Sequence, residues 1–129
     1  MLKLASCSDS ICELEQFVQV LSKRYDICPD RYPDILISLT EAVNNAIIHG
    51  NGENRAKNVL IDHTYKKSRG LTFEISDEGR GFDYKSIPDP TKVENLEKNG
   101  GRGVFLMRQL SDRIKFANNG RTVIINFNV

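Results

Sequence analysis

The chain has little with which to cross-link, anchor or repel. Its 129 residues contain three cysteines, Cys7, Cys12 and Cys28. The set is odd, lacks CxxC spacing and has no matching histidine cluster, which argues against a disulfide framework and a zinc site. The expectation is reduced, mostly packed thiols in a cytoplasmic protein. No run approaches the ~18 apolar residues of a membrane span. The start, Met1 to Cys7, is too short for a signal peptide. An excess of one charge is also missing: 18 basic residues face 17 acidic ones, for a net charge of +1. With no dominant charge block there is no electrostatic case for direct nucleic-acid binding or for an anionic membrane surface. Internal repeats and low-complexity segments are absent. The length fits one domain over residues 1–129 and suffices to bury a real core.

What is present is a regular alternation of periods. Residues 2–6 read as a short strand. Ser10-x-x-Glu13 is a capping-box pattern that opens a helix to about Lys23, with Ile11, Leu14, Phe17, Val18 and Leu21 on one face. Tyr25 to Pro33 reads as a linker, and a central helix begins near Asp34. Val59 to Tyr65 and Leu71 to Ser76 alternate and are joined by a short polar turn, which predicts an antiparallel hairpin. Gly79 to Asn99 is long and irregular, as functional loops often are. Val104 to Leu110 reads as helical. Ile114–Ala117 and Thr122–Val129 predict a second hairpin around Asn118-Asn119-Gly120, a type I′ turn signal. The order predicts an α+β fold, a two-layer α/β sandwich with helices on one face of a mixed, mostly antiparallel sheet.

Three segments carry chemistry. Projected at 100° per residue, the central helix puts Asp34, Ser38, Glu41, Asn45 and His49 on one side. Ile35, Leu39, Ala42, Val43 and Ala46 fall on another. A carboxylate and a carboxamide one turn apart suit a hard cation such as Mg²⁺, which keeps most of its waters. The alternative is a plain solvated face, with His49 a helix-end residue and Gly50 and Gly52 the helix stop. Asp77-Glu78-Gly79-Arg80-Gly81-Phe82-Asp83 follows a strand directly. A carboxylate there can accept a hydrogen bond from an exocyclic amine such as that of adenine, and the glycines let backbone approach a flat ring. The same residues also suit an ordinary turn. Gly100-Gly101-Arg102-Gly103 precedes a helix, whose free N–H groups bind phosphate; Arg102 adds a charged donor. It is neither a Walker A loop nor a Rossmann fingerprint.

In combination the segments resemble the N, G1 and G2 boxes of the GHKL ATPase/kinase superfamily, whose members have the histidine kinase-like ATPase fold. Within it the chain looks most like the small anti-sigma-factor serine/threonine kinases. Glu41-Ala-Val-x-Asn45-Ala-Ile-Ile-His49-Gly50 is close to their N box. Asp77-x-Gly79-x-Gly81-Phe82-Asp83 matches their G1 box. Gly101-Arg102-Gly103-Val104-Phe105-Leu106-Met107, followed by Asp112, resembles their G2 box and its helix. The resemblance implies that Glu41 is a general base and that Asn45 holds Mg²⁺. It implies that Asp77 binds the adenine amino group in a pocket shaped by Gly79 and Gly81, and that Gly101 and Gly103 touch the phosphates of ATP. Residues 84–100 would form an ATP lid. His49, Phe82, Gly100, Arg102 and Val104 join the nucleotide-binding set as parts of the same boxes. Implied partners are a sigma factor and a STAS-type anti-sigma antagonist phosphorylated on Ser or Thr, with a homodimer as the assembly. Two other functions fit the same residues: a nucleotide-gated module that sequesters a partner without chemistry, and an interaction domain that has lost its nucleotide.

Overall fold

A computed structural model describes residues 1–79 and 101–129 of the chain. In chain order the elements are β1 (Leu2–Ala5), α1 (Ser10–Arg24), α2 (Tyr32–Asn45), a π-helical turn (Ala46–Gly50), β2 (Asn58–Lys66) and β3 (Gly70–Ser76). After the undescribed segment come α3 (Gly101–Leu110), β4 (Arg113–Ala117), a 3-10 turn (Asn118–Gly120) and β5 (Thr122–Phe127). The five strands form one sheet in the order β1-β2-β3-β5-β4. All four described pairings are antiparallel.

Alternation decides which face of the sheet is covered. Val59 and Ile61 of β2, Leu71, Phe73 and Ile75 of β3, and Val123, Ile125 and Phe127 of β5 are buried, while Asp62 and Glu74 between them are exposed. The buried face meets Leu14, Val18 and Leu21 of α1, and Ile35, Leu39, Ala42 and Val43 of α2. The apolar set expected on the central helix is therefore the face that packs. Val104 and Met107 bring α3 into the same core. At the far end of β2, Tyr25 stacks on Tyr65 with centroids 4.4 Å apart. The two-layer α+β sandwich expected from the sequence is present.

Local readings fail where a distant partner intervenes. Ser10 does not cap its helix: it is the first helical residue, and its hydroxyl donates to Ala5 O at 2.7 Å, tying α1 to the end of β1. The linker to Pro33 is shorter than expected, because α2 starts at Tyr32 and takes Pro33 into its first turn, where the missing N–H has no helical acceptor to lose. The second hairpin has no type I′ turn. Ala117 pairs with Thr122, leaving residues 118–121 as the connection. Arg121 O is taken by Asp77 N–H at 2.9 Å, so a contact from another strand end holds the turn open. Cys12 and Cys28 are exposed rather than packed, and all three thiols are free.

Candidate functional site

The site forms where α2 ends, β3 ends and α3 begins. Glu41 and Asn45 lie one turn apart on α2, both partly accessible. Gly103, in the first turn of α3, lies directly against them. A Cβ at Gly103 would come within 2.9 Å of Glu41 Oε2 and 3.2 Å of Asn45 Nδ2. Glycine is thus what allows the helix start to approach the carboxylate and the carboxamide. Because α3 begins at Gly101, its first N–H groups have no intrahelical acceptor and face the same region with the positive end of the helix dipole.

The remainder of the stripe fares unevenly. Ser38 is fully buried, and its hydroxyl has no hydrogen-bond partner among the described residues. His49 is exposed and does not line the cavity described below. The cause is the π turn: Asn51 N–H donates to Ala46 O at 2.8 Å, five residues back. The wider turn breaks the 100° progression on which the placement of His49 depended. It also carries the Gly50 backbone under the turn that follows β3.

That turn begins at Asp77. Its Oδ1 accepts the Gly79 N–H at 2.8 Å. A Cβ at Gly50 would fall 2.3 Å from Asp77 Oδ2, and one at Gly79 would fall 1.8 Å from Gly50 O. Backbone and carboxylate are in such close contact that both positions exclude a side chain. Burial pushes the Asp77 pKa up, while the Gly79 N–H and the charges of Arg121 and Lys57 act in the opposite sense. Asp77, Asn45 and Arg121 are the polar members of a cavity otherwise lined by Ala42, Ala46, Ile75, Met107, Phe116, Val123 and the Gly120 backbone. An apolar lining with a few oriented polar groups is the usual composition of a ligand pocket; the space these residues enclose is about 20 Å³.

The structure therefore brings Glu41, Asn45, Asp77, Gly79 and Gly103 into one region. Val104 is buried in the core, so only its backbone can face a ligand. Gly81, Phe82, Gly100 and the lid over residues 84–100 lie outside the described residues, as does the side chain of Arg102. Sequence reasoning missed Gly50 as a contact, the apolar lining and Arg121; only the density of glycine near Asp77 hinted at the close approach. A wider, open groove on the sheet face opposite the helices, between Arg69, Thr72, Arg113 and Lys115, is lined by neither Asn45 nor Asp77.

The donors fit a magnesium nucleotide. At Gly103 the backbone at the start of α3 comes into close contact with Glu41 and Asn45. Among the described residues no group of three His, Cys, Asp or Glu side chains could hold a metal alone. Asn45 would bind a hard cation together with phosphate oxygens and water, which is the mode Mg²⁺ favours.

Residues 5–127 match the family described as histidine kinase-like ATPase domain. The chain is also similar to the serine-protein kinase RsbW of Staphylococcus aureus. In strains JH9 and Newman the identity is 32% over 91 residues, covering 66% of this chain and 57% of the relative. The chain thus spans little more than half the length of the curated relatives it matches.

Proposed function

Because the chain belongs to the histidine kinase-like ATPase domain family, we propose that it is an ATP-binding anti-sigma regulatory factor. In this reading it phosphorylates a serine or threonine of a STAS-type antagonist and also binds a sigma factor. The observation that carries the chemistry is the approach of Gly103 to Glu41 and Asn45. It puts a carboxylate, a metal-type oxygen and a phosphate-type helix start within one ligand's reach.

Bound Mg-ATP supplies the transferable phosphoryl group and the cation that neutralises its charge. The chain's own residues do the rest. Asp77 accepts a hydrogen bond from the adenine amine. The first N–H groups of α3 hold phosphate oxygens. Asn45 presents its amide oxygen to the cation. Glu41 takes the proton from the partner's hydroxyl as its oxygen attacks the terminal phosphorus of ATP; the bond from that phosphorus to the bridging oxygen breaks, its electron pair leaves with ADP, and the hydroxyl oxygen keeps the phosphoryl group. The similarity to a serine-protein kinase supports the phosphorylation of a protein, not the individual residue roles. The family resemblance extends the proposal to a homodimer, and the free thiols suit a cytoplasmic setting.

The test is transfer from labelled ATP to a STAS-domain protein. Glu41→Ala is expected to keep ATP and partner binding and to lose transfer by about 10²–10⁴-fold. Full transfer by this variant would end the base role. Tight ATP and partner binding by the wild type with no transfer would instead establish the nucleotide-gated binding module.

A further inference from the structure

We infer that Asn51 is a positioning residue: it fixes the turn that presents Asp77 and thereby sets the site's preference for adenine. The selectivity half rests on the nucleotide-binding reading above; the positioning half rests on geometry alone.

Asn51 follows the π turn and is 3% exposed. Its carboxamide is used on both sides. Nδ2 donates to Ser6 Oγ at 2.9 Å and to Asn58 O at 3.0 Å. Oδ1 accepts the Glu78 N–H at 2.8 Å. One side chain thus joins the end of β1, the start of β2 and the turn after β3, while its own N–H closes the π turn on Ala46. The neighbouring bonds are consistent with this junction: Ser6 Oγ donates to Lys57 O, and Glu78 Oε2 accepts the Asn58 N–H.

Glu78 lies between the two residues that shape the pocket. Gly79 packs on Gly50 O and donates to Asp77 Oδ1. Holding the Glu78 N–H therefore fixes the Asp77–Glu78 peptide plane, from which Asp77 extends directly and Gly79 follows one residue on. Only a carboxamide offers two donors and an acceptor at this size. An aspartate keeps the acceptor and loses the donors; an alanine loses all three and strands buried groups.

The test compares wild type, Asn51→Ala and Ser6→Ala. Ser6→Ala removes two bonds of the same junction, those to Asn51 Nδ2 and Lys57 O, but leaves the contact between Asn51 and Glu78. Affinities for Mg-ATP and Mg-GTP are measured by calorimetry, and amide hydrogen exchange at Glu78 and Gly79 is followed without ligand. Asn51→Ala is expected to lose about tenfold of the ATP-over-GTP preference, through weaker ATP binding, and to exchange faster at both amides. Ser6→Ala is expected to keep preference and protection. An unchanged preference in Asn51→Ala, unchanged exchange, or an equal loss in Ser6→Ala overturns the inference. Should Asn51→Ala not fold, Asn51→Asp asks the same question with the size kept. Slow exchange at Glu78 and a surviving ATP preference then support the assignment, and loss of both overturns it. A wild type that does not prefer ATP would sink the nucleotide reading and the selectivity with it, while the exchange arm still reads the positioning of the turn.

Discussion

Asp77 works against its surroundings. A half-buried carboxylate with a raised pKa holds its proton more tightly folded than unfolded. The stability tied to this group is therefore full at low pH and falls as pH rises through the folded-state value. At neutral pH the ionised carboxylate is a cost to the ligand-free fold, one that the proposed hydrogen bond from an adenine amine would offset. Asp77→Asn should therefore raise the melting temperature of the ligand-free protein near pH 7, with the advantage shrinking as pH falls through about 4. ATP affinity should drop by about tenfold or more, the scale of a lost hydrogen bond to a charged group. Thermal denaturation across pH and calorimetry check the two halves; unchanged ATP affinity would remove Asp77 from the site. Asn45 bears on the cation instead. Asn45→Ala should abolish the gain in nucleotide affinity that Mg²⁺ confers, because an octahedral ion loses one oxygen ligand. An equal Mg²⁺ enhancement in both proteins would refute that assignment.

Helices α2 and α3 run antiparallel. The start of α3 meets the end of α2 at Gly103, Glu41 and Asn45. The other end of the pair is pinned by Arg31, just before α2, and Asp112, just after α3, with Nη2 and Oδ2 2.7 Å apart. The same guanidinium holds Asp34 at 2.8 Å, and Asp112 also accepts the Asn128 N–H at 2.7 Å. Sliding α3 would break this corner before it opened the site, one helix length away. The two side chains are 30% and 35% exposed, so solvent screens their attraction. A double-mutant cycle with Arg31→Met and Asp112→Asn should give a coupling of roughly 0.5–1 kcal/mol in denaturant unfolding. Strict additivity of the two variants would reduce the corner to an incidental surface contact.

Across the whole molecule, ligand binding should register as stability, since the site joins both helices to the sheet and exists only when folded. With Mg-ATP at a hundredfold excess over its dissociation constant, the gain is about 2.7 kcal/mol. For a domain of this size that corresponds to a rise in melting temperature of roughly 10 °C. Mg-GTP should give less, because guanine carries a carbonyl oxygen, an acceptor, where adenine carries the 6-amino group that Asp77 would receive. No shift with Mg-ATP would favour an interaction domain without nucleotide.

The amino-acid sequence by itself determined what repeats over short distances. The apolar face of α2 follows from 3.6-residue spacing, and β2, β3 and β5 from alternation. The order of Glu41 and Asn45, Asp77 and Gly79, then Gly103 named residues that the fold brings into one region. Tertiary structure decided what depends on partners far along the chain. Glu78 and Asn51 are 27 residues apart, and Asn51 and Ser6 are 45 apart. Arg31 and Asp112 are 81 apart. No local period encodes such bonds, so Asn51 looked like part of a polar turn, Ser10 like a cap, and His49 like the next step of a stripe. The π turn at Ala46–Gly50 is the plainest case. Its residues favour an ordinary helix end, and the shape they take is set by the glycine and carboxylate packed against it from β3.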